Sequence, residues 1–409
     1  MTGNMMSKGD QRHPNNAPLL FRPLMLRGVK LRNRIVASPM CQYNSVGGAP
    51  TDWHFAHLGR LAIGGAGLVF HEETAVEARG RKTHACAGIW SDEHIPTYRR
   101  LADLIRSIGA TPGIQLGHAG GKAYSHGALR DWAPLTDEDA RNGLPPWQPV
   151  APSPVPIGDG RPIPHGLDEA EIRGIVTAWG EAAQRCTQAG FEVLEIHGAH
   201  GYLIHQFLSP VTNLRTDGYG GDRKGRMRFA LEVAEAVRRA WPADNPLFFR
   251  VSCVDGHGGV WDLDDTVVLA RELKARGIDV VDCSSGGISG DSSMPIVPRV
   301  PGYHVPFARR VRREAAIITV AVGLVTDPQQ AEAILARGDA DLVALARELL
   351  MQADWPVHAA RSLGIADYLD LFPTAYAFRL KRRAEIAALE INQPDAPIPT
   401  ATAELIEST

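Results

Sequence analysis

Eight short apolar runs, each separated from the next by a longer stretch, constrain this chain more than any other feature. They fall at residues 35–38, 68–70, 111–116, 193–196, 247–252, 280–283, 317–322 and 341–345. Most are rich in Val, Ile, Leu or Phe without polar alternation, the pattern of strands buried on both faces. Helical patterns occupy the intervals at 51–64, 95–108, 168–189, 226–241, 266–276, 307–314 and 328–337, with Thr51 and Asp52 placed to cap the first. Alternating strands and helices predict an α/β fold, and eight repeats predict a (β/α)8 TIM barrel. The competing doubly wound sheet carries a glycine fingerprint after its first strand. Here Gly64-Gly65-Ala66-Gly67 precedes a strand instead, and no Gly-x-Ser-x-Gly elbow or P-loop lysine motif occurs.

The rest of the chain is arranged around that unit. Residues 1–18 are polar and read as a flexible extension; 19–364 hold the barrel, which a hairpin at 20–34, turning near Arg27-Gly28, is expected to cap. A Gly/Pro-rich stretch at 119–164 follows the third run. Its Trp132 and Trp147 favour an ordered lid over a mobile excursion. A second such loop spans 284–306. Residues 365–390 form a C-terminal extension, helical over 368–390, and 391–409 a Pro/Thr/Ala tail. A net charge of −3, with 22% charged residues, gives no sign of a nucleic-acid or membrane-surface binder. Five cysteines without a Cys-x-x-Cys pair argue against a disulfide framework or zinc ribbon. With no signal-peptide pattern and no bilayer-length apolar run, the expected location is cytoplasmic.

Barrel enzymes work at the mouth formed by the strand C-termini. The fourth run ends in Glu195-Ile196-His197-Gly198-Ala199-His200-Gly201-Tyr202, two imidazoles and a phenol able to donate hydrogen bonds or pass protons. Two buried structural histidines would give the same pattern, and so would a metal site, but no third ligand with zinc spacing is evident, and no metal is expected. The first run supplies Ser38-Pro39-Met40-Cys41-Gln42-Tyr43, the third Gln115 and His118, the fifth Arg250 and Cys253. Gly323 after the seventh run and Ala346-Arg347 after the eighth match the phosphate cradle of such barrels. A phosphate at the rim, an amide at Gln115 and a cation at Arg250 together fit FMN: the amide can pair with the pyrimidine edge and the guanidinium can face the charge of a reduced flavin.

On these motifs the chain resembles the old yellow enzyme family of FMN-dependent ene-reductases, in particular the bacterial subgroup with a cysteine after the first strand. The matching pieces are residues 38–43, 113–120, 195–210, Arg215-x-Asp217-x-Tyr219-Gly220-Gly221 with Arg226, 250–252, 322–324 and 345–348. The resemblance implies that Ser38, Pro39, Met40, Cys41, Gln115, Arg250, Gly323, Ala346 and Arg347 hold FMN, with Cys41 tuning it. Glu73 falls beside the flavin where relatives often carry alanine. It further implies that His197 and His200 bind a substrate carbonyl, Tyr202 supplies a proton and Tyr43 lines the substrate site. The expected reaction takes hydride from NADPH or NADH and reduces the C=C bond of an enone-type small molecule by a ping-pong mechanism. A homo-oligomer, dimer or tetramer, is expected. Three departures stand out: Gly121 in place of an arginine before Lys122, an altered segment at 218–225, and Tyr376-Ala377-Phe378-Arg379 where the subgroup ends in a Tyr-x-Arg finger.

Overall fold

The first barrel strand, β1 (Ile35–Ala37), lies beside the last, β8 (Leu342–Leu345), and that pairing closes the ring. Between them run β2 (Leu68–Ala75), β3 (Thr111–Gly117), β4 (Val193–Gly198), β5 (Leu247–Ser252), β6 (Val280–Ser284) and β7 (Ile318–Ala321), each parallel to its neighbours in chain order. The protein is therefore the closed (β/α)8 barrel that the sequence predicts. The computed structural model describes residues 17–158, 160–256, 260–288 and 297–387. The expected extension before residue 17 and the tail at 391–409 lie outside the described residues, as do 289–296 of the second loop.

Strand parity decides what fills the barrel. Val36, Leu68, Phe70, Val193, Phe248, Val280, Val320 and Leu342 point inward and form one apolar cluster. Leu26, Val29 and Leu31 of the hairpin (Leu24–Leu26 paired with Val29–Leu31) join the same cluster and plug the end where the strands begin. Residues of the opposite parity, among them Val69, Ile114, Leu194, Phe249, Val281 and Val343, pack in the larger core under the helices. The inward positions nearer the strand C-termini are polar: Gln115, Glu195, Arg250 and Asp282, all buried. The barrel is thus greasy at its base and charged below its mouth.

Three details differ from, or sharpen, the sequence reading. The expected helix over 368–390 is broken: a 3-10 turn (Tyr368–Leu371) ends at Phe372, extended at φ −73° and ψ 154°, and a helix resumes at Thr374–Ala387. Pro373 explains the break, because a proline disfavours helical geometry in the residue before it. The 119–164 excursion is ordered where described, with a short helix (Asp137–Arg141), a two-residue pairing of Val150–Ala151 with His165–Gly166, Trp147 bonded to the Arg79 carbonyl at 3.0 Å and Trp132 edge-on to Tyr43 at 5.7 Å. Finally, β2 extends to Ala75 and contains a register shift: His71 pairs with Ile114 and Glu73 with Gln115, leaving Glu72 over.

Candidate active site

A cavity of about 560 Å³ opens at the strand C-termini, within the size range of small-molecule sites. His200 and Tyr202 after β4, Arg250 on β5, Gly323 after β7 and Ala346 and Arg347 after β8 line it. The remaining predicted residues sit behind its wall. His197 contacts His200 and Tyr202; Gln115 bonds to Glu195 beside the Arg250 level. Ser38 donates its backbone N–H to Leu345 on the cavity wall. Cys41 touches the lining Lys82, and Tyr43 the lining Trp132. Met40 packs against the larger core under the helices, and Pro39 lies between it and Ser38.

The turn after β4 needs its glycine. His200 and Gly201 adopt φ +58° and +72°, and a Cβ on Gly201 would lie 1.9 Å from the Gly287 carbonyl oxygen. The turn sets up a directed chain of hydrogen bonds. The Ala199 N–H donates to His197 Nδ1 at 3.3 Å, so His197 carries its proton on Nε2 and donates to His200 Nδ1, 3.3 Å away. His200 in turn donates from Nε2 to Ser284 Oγ at 2.7 Å. Burial, then the positive charge of Arg250, holds both imidazoles well below the usual histidine range, so both are neutral donors at physiological pH. The Tyr202 ring stands edge-on to His197 with centroids 4.9 Å apart, and burial raises its phenol above the usual tyrosine value.

Beneath the cavity lies a buried layer of charge. The Gln115 amide donates to Glu195 Oε1 at 2.7 Å, and Arg250 Nε lies 3.1 Å from Asp282 Oδ2. That approach is electrostatic only, because Arg250 Nε lacks an aligned hydrogen-bond partner; the other carboxylate oxygen, Asp282 Oδ1, is buried without one as well. Burial and the neighbouring Asp282 push Glu195 up to about 8, against the pull of Arg250 and Gln115, and burial likewise raises Asp282. Two carboxyl groups that cannot both ionise here share the site with one guanidinium.

A second charged group went unread in the sequence. Lys82, 1% exposed, ion-pairs with Glu73 Oε2 at 2.5 Å and donates to Cys41 Sγ at 2.9 Å. The register shift in β2 produces this contact. From inward Phe70, alternation alone would turn Glu72 inward; the extra residue gives that position to Glu73, opposite Gln115. Glu72 instead accepts from the Gln42 N–H at 2.9 Å and pairs with His54 at 3.0 Å. Gly117 leaves the room that the Glu73 carboxylate occupies, since a Cβ there would stand 2.2 Å from Oε1. Arg79-Gly80-Arg81-Lys82 reads as a basic loop, and only the tertiary fold reveals that its last cation turns inward.

The residues fit FMN on their own geometry. Ser38 Oγ and Arg250 Nε are buried without hydrogen-bond partners, Arg250 on the cavity wall itself. Gly323, at φ +113°, is held where a Cβ would press on the Tyr303 ring at 3.0 Å, which keeps that part of the wall open. Arg347 is exposed at the rim, on the first turn of a short helix (Arg347–Met351) after β8, where a phosphate finds both charge and backbone N–H groups. A barrel with this mouth can seat a flavin mononucleotide, ring inward and phosphate at the rim.

Comparison with known proteins narrows that reading. Residues 19–365 match the NADH:flavin oxidoreductase / NADH oxidase family. An NADPH dehydrogenase of Geobacillus sp. (strain WCH70) is 44% identical over 349 residues, 85% of this chain and 95% of its own length. Among solved structures, morphinone reductase superposes with a TM-score of 0.70 at 27% identity, covering 84% of this chain and 90% of that one. The old yellow enzyme from Trypanosoma cruzi gives 0.69 at 25%, covering 84% and 92%. A 2-naphthoyl-CoA reductase complex shares the fold (TM-score 0.75, 22% identity), but this chain spans only 52% of it. The chain belongs to the NADH:flavin oxidoreductase family of old yellow enzyme type, and it is an FMN-dependent NAD(P)H oxidoreductase. No helix among the described residues is long and apolar enough to cross a membrane.

Proposed function

We propose that the enzyme reduces the C=C bond of α,β-unsaturated carbonyl compounds in a ping-pong cycle, NAD(P)H and the alkene using the same cavity in turn. The observation that carries this reading is the neutral His197–His200 pair with Tyr202 beside it, at the wall of a cavity whose other side fits FMN. FMN, when bound, supplies a two-electron hydride store that is filled by the nicotinamide and emptied into the acceptor. In this reading Ser38, Pro39, Met40, Cys41, Gln115 and Arg250 hold and tune the ring, Glu73 stands near it, and Gly323, Ala346 and Arg347 hold the phosphate. Tyr43, packed on Trp132, shapes the substrate end.

The side chains do the rest. An incoming carbonyl oxygen competes for the His197 Nε2–H now given to His200, and for the His200 Nε2–H now given to Ser284. Negative charge grows on that oxygen as hydride adds at the β-carbon, so both donors bind the transition state better than the substrate. The Tyr202 O–H then delivers its proton to the α-carbon, and its high pKa keeps it protonated until that moment.

Two half-reactions test this. The yellow, FMN-loaded protein is bleached anaerobically with NADPH and mixed with cyclohexenone in a stopped-flow cell. Rapid return of the oxidised spectrum is expected, with Tyr202→Phe slowing that step far more than the NADPH step. Bleached enzyme that cyclohexenone fails to reoxidise, or equal slowing of both steps in the variant, would sink the reading.

A further inference from the structure

The buried Lys82–Glu73 pair is not used in the scheme above, yet it stands at the reactive end of the cavity. Lys82 lines that cavity with Tyr202, and its Nζ lies 5.0 Å from the Tyr202 ring centroid and 5.9 Å from that of Tyr43. Nζ also donates to Cys41 Sγ at 2.9 Å. The lysine and glutamate side chains are 1% and 3% exposed, which makes a merely structural pair an expensive one: an ion pair this dry rarely contributes net stability against an apolar replacement. Glu73 spends one oxygen on Lys82 and leaves Oε1 without any partner. Two features of adjacent strands, the register shift in β2 that turns Glu73 inward and the bare Gly117 of β3 that admits its carboxylate, serve this contact.

We propose that Lys82, kept charged by Glu73, is a positioning residue that fixes a positive charge between the Cys41 thiol and the Tyr202 phenol and so favours the anionic form of each. The direction of the local electrostatics agrees. Burial works against the ammonium, but Cys41, Glu73 and Tyr202 outweigh it and hold Lys82 well above the usual lysine range. Burial pushes the Cys41 thiol up to about 12 and raises the Tyr202 phenol, and in both groups Lys82 is the largest influence pulling the other way. For Tyr202 the consequence lies in the proton-transfer step. The phenol O–H bond breaks, a C–H bond forms at the substrate α-carbon, and the phenolate left behind faces Lys82 until solvent returns its proton. For Cys41 the consequence is a larger thiolate fraction, and thus faster reaction with electrophiles, at any given pH.

The kinetic half of this proposal rests on the alkene-reductase reading; the thiol half does not. The test uses FMN-loaded protein carrying Lys82→Met, Lys82→Arg, or the double change Glu73→Leu with Lys82→Met. The double variant removes both charges, so it stays informative if the single change, which strands Glu73, fails to fold. Cys41 is the only half-buried thiol of the five free cysteines, so its iodoacetamide alkylation can be followed against pH by mass spectrometry. The expected results for the charge-free variant are Cys41 alkylation slowed about tenfold at pH 8 and cyclohexenone reduction slowed by about tenfold or more, with reduction by NADPH affected much less. Lys82→Arg should restore both, a recovery that lost packing would not show. Unchanged alkylation and unchanged alkene reduction in the folded double variant would overturn the proposal. If the parent enzyme reduces no enone, the functional reading falls, and the alkylation profile alone decides whether Lys82 controls the thiol.

Discussion

Glu195 is predicted to enter the folded barrel carrying a proton, and replacing it with glutamine should make that visible. The carboxyl sits beneath the cavity, accepts from Gln115 and is pushed up to about 8 by burial and Asp282, against an ordinary value of 4.5. A raised carboxyl pKa contributes stability in full below the unfolded value and loses it as pH rises through the folded one, here between about 4.5 and 8. Glutamine resembles the protonated acid and has no such dependence. The wild type is therefore handicapped against Glu195→Gln by about 1 kcal/mol at pH 5.5 and by about 4 kcal/mol at pH 8.5, a widening of about 3 kcal/mol. Urea denaturation of both proteins at the two pH values, with FMN held at one saturating concentration, measures the gap. The reasoning fails if Glu195→Gln is destabilised at both pH values alike, or if the gap does not grow with pH. Either result would mean that Glu195 is ionised and paired with Arg250.

Three further outcomes follow from the geometry. Gly201→Ala puts a Cβ 1.9 Å from the Gly287 oxygen at a positive φ, so it should cost more than about 2 kcal/mol and weaken phenol binding, read as charge-transfer absorbance. Arg347→Met should loosen FMN by about 10- to 100-fold in a flavin fluorescence titration while leaving the melting curve of FMN-free protein unchanged; an unaltered Kd would place the phosphate elsewhere. His205 and His304 are held at about 3, by burial first and then by Lys122 and Arg250 respectively. Their depressed values make the folded state lose stability as pH falls from about 6.5 towards 3, each by up to about 1.4 kcal/mol per pH unit. His205→Asn should therefore flatten the decline in Tm between pH 7 and 5, and an equally steep decline would refute the assignment.

The barrel was readable because its strands are buried almost throughout on both faces, and most such strands show as apolar runs whatever the loops do. Gly323 with Ala346-Arg347 was legible for a similar reason: chain order fixes which strand ends share the mouth. Side-chain phase was not. Nothing in His71-Glu72-Glu73 announces which carboxylate faces inward, because the answer depends on pairing with Gln115 across the sheet. No local pattern marks Lys82, because its partner Cys41 lies 41 residues away. Glu195 and Asp282 each passed for one polar residue in a strand; only the closed ring brings both near Arg250. Phe372-Pro373 carried a readable break that the helical pattern on either side concealed.

The unpaired residue in β2 has a consequence for how this strand can change. Its ribbon lines the barrel with even-numbered side chains below, at 68 and 70, and odd-numbered ones above, at 73 and 75. Deleting that residue, Glu72, would restore even counting throughout and leave its neighbour Glu73 still facing the ammonium. His54 and the Gln42 amide would lose their carboxylate while Lys82 kept its own, so a single lost codon would strip one buried site and spare the one beside it.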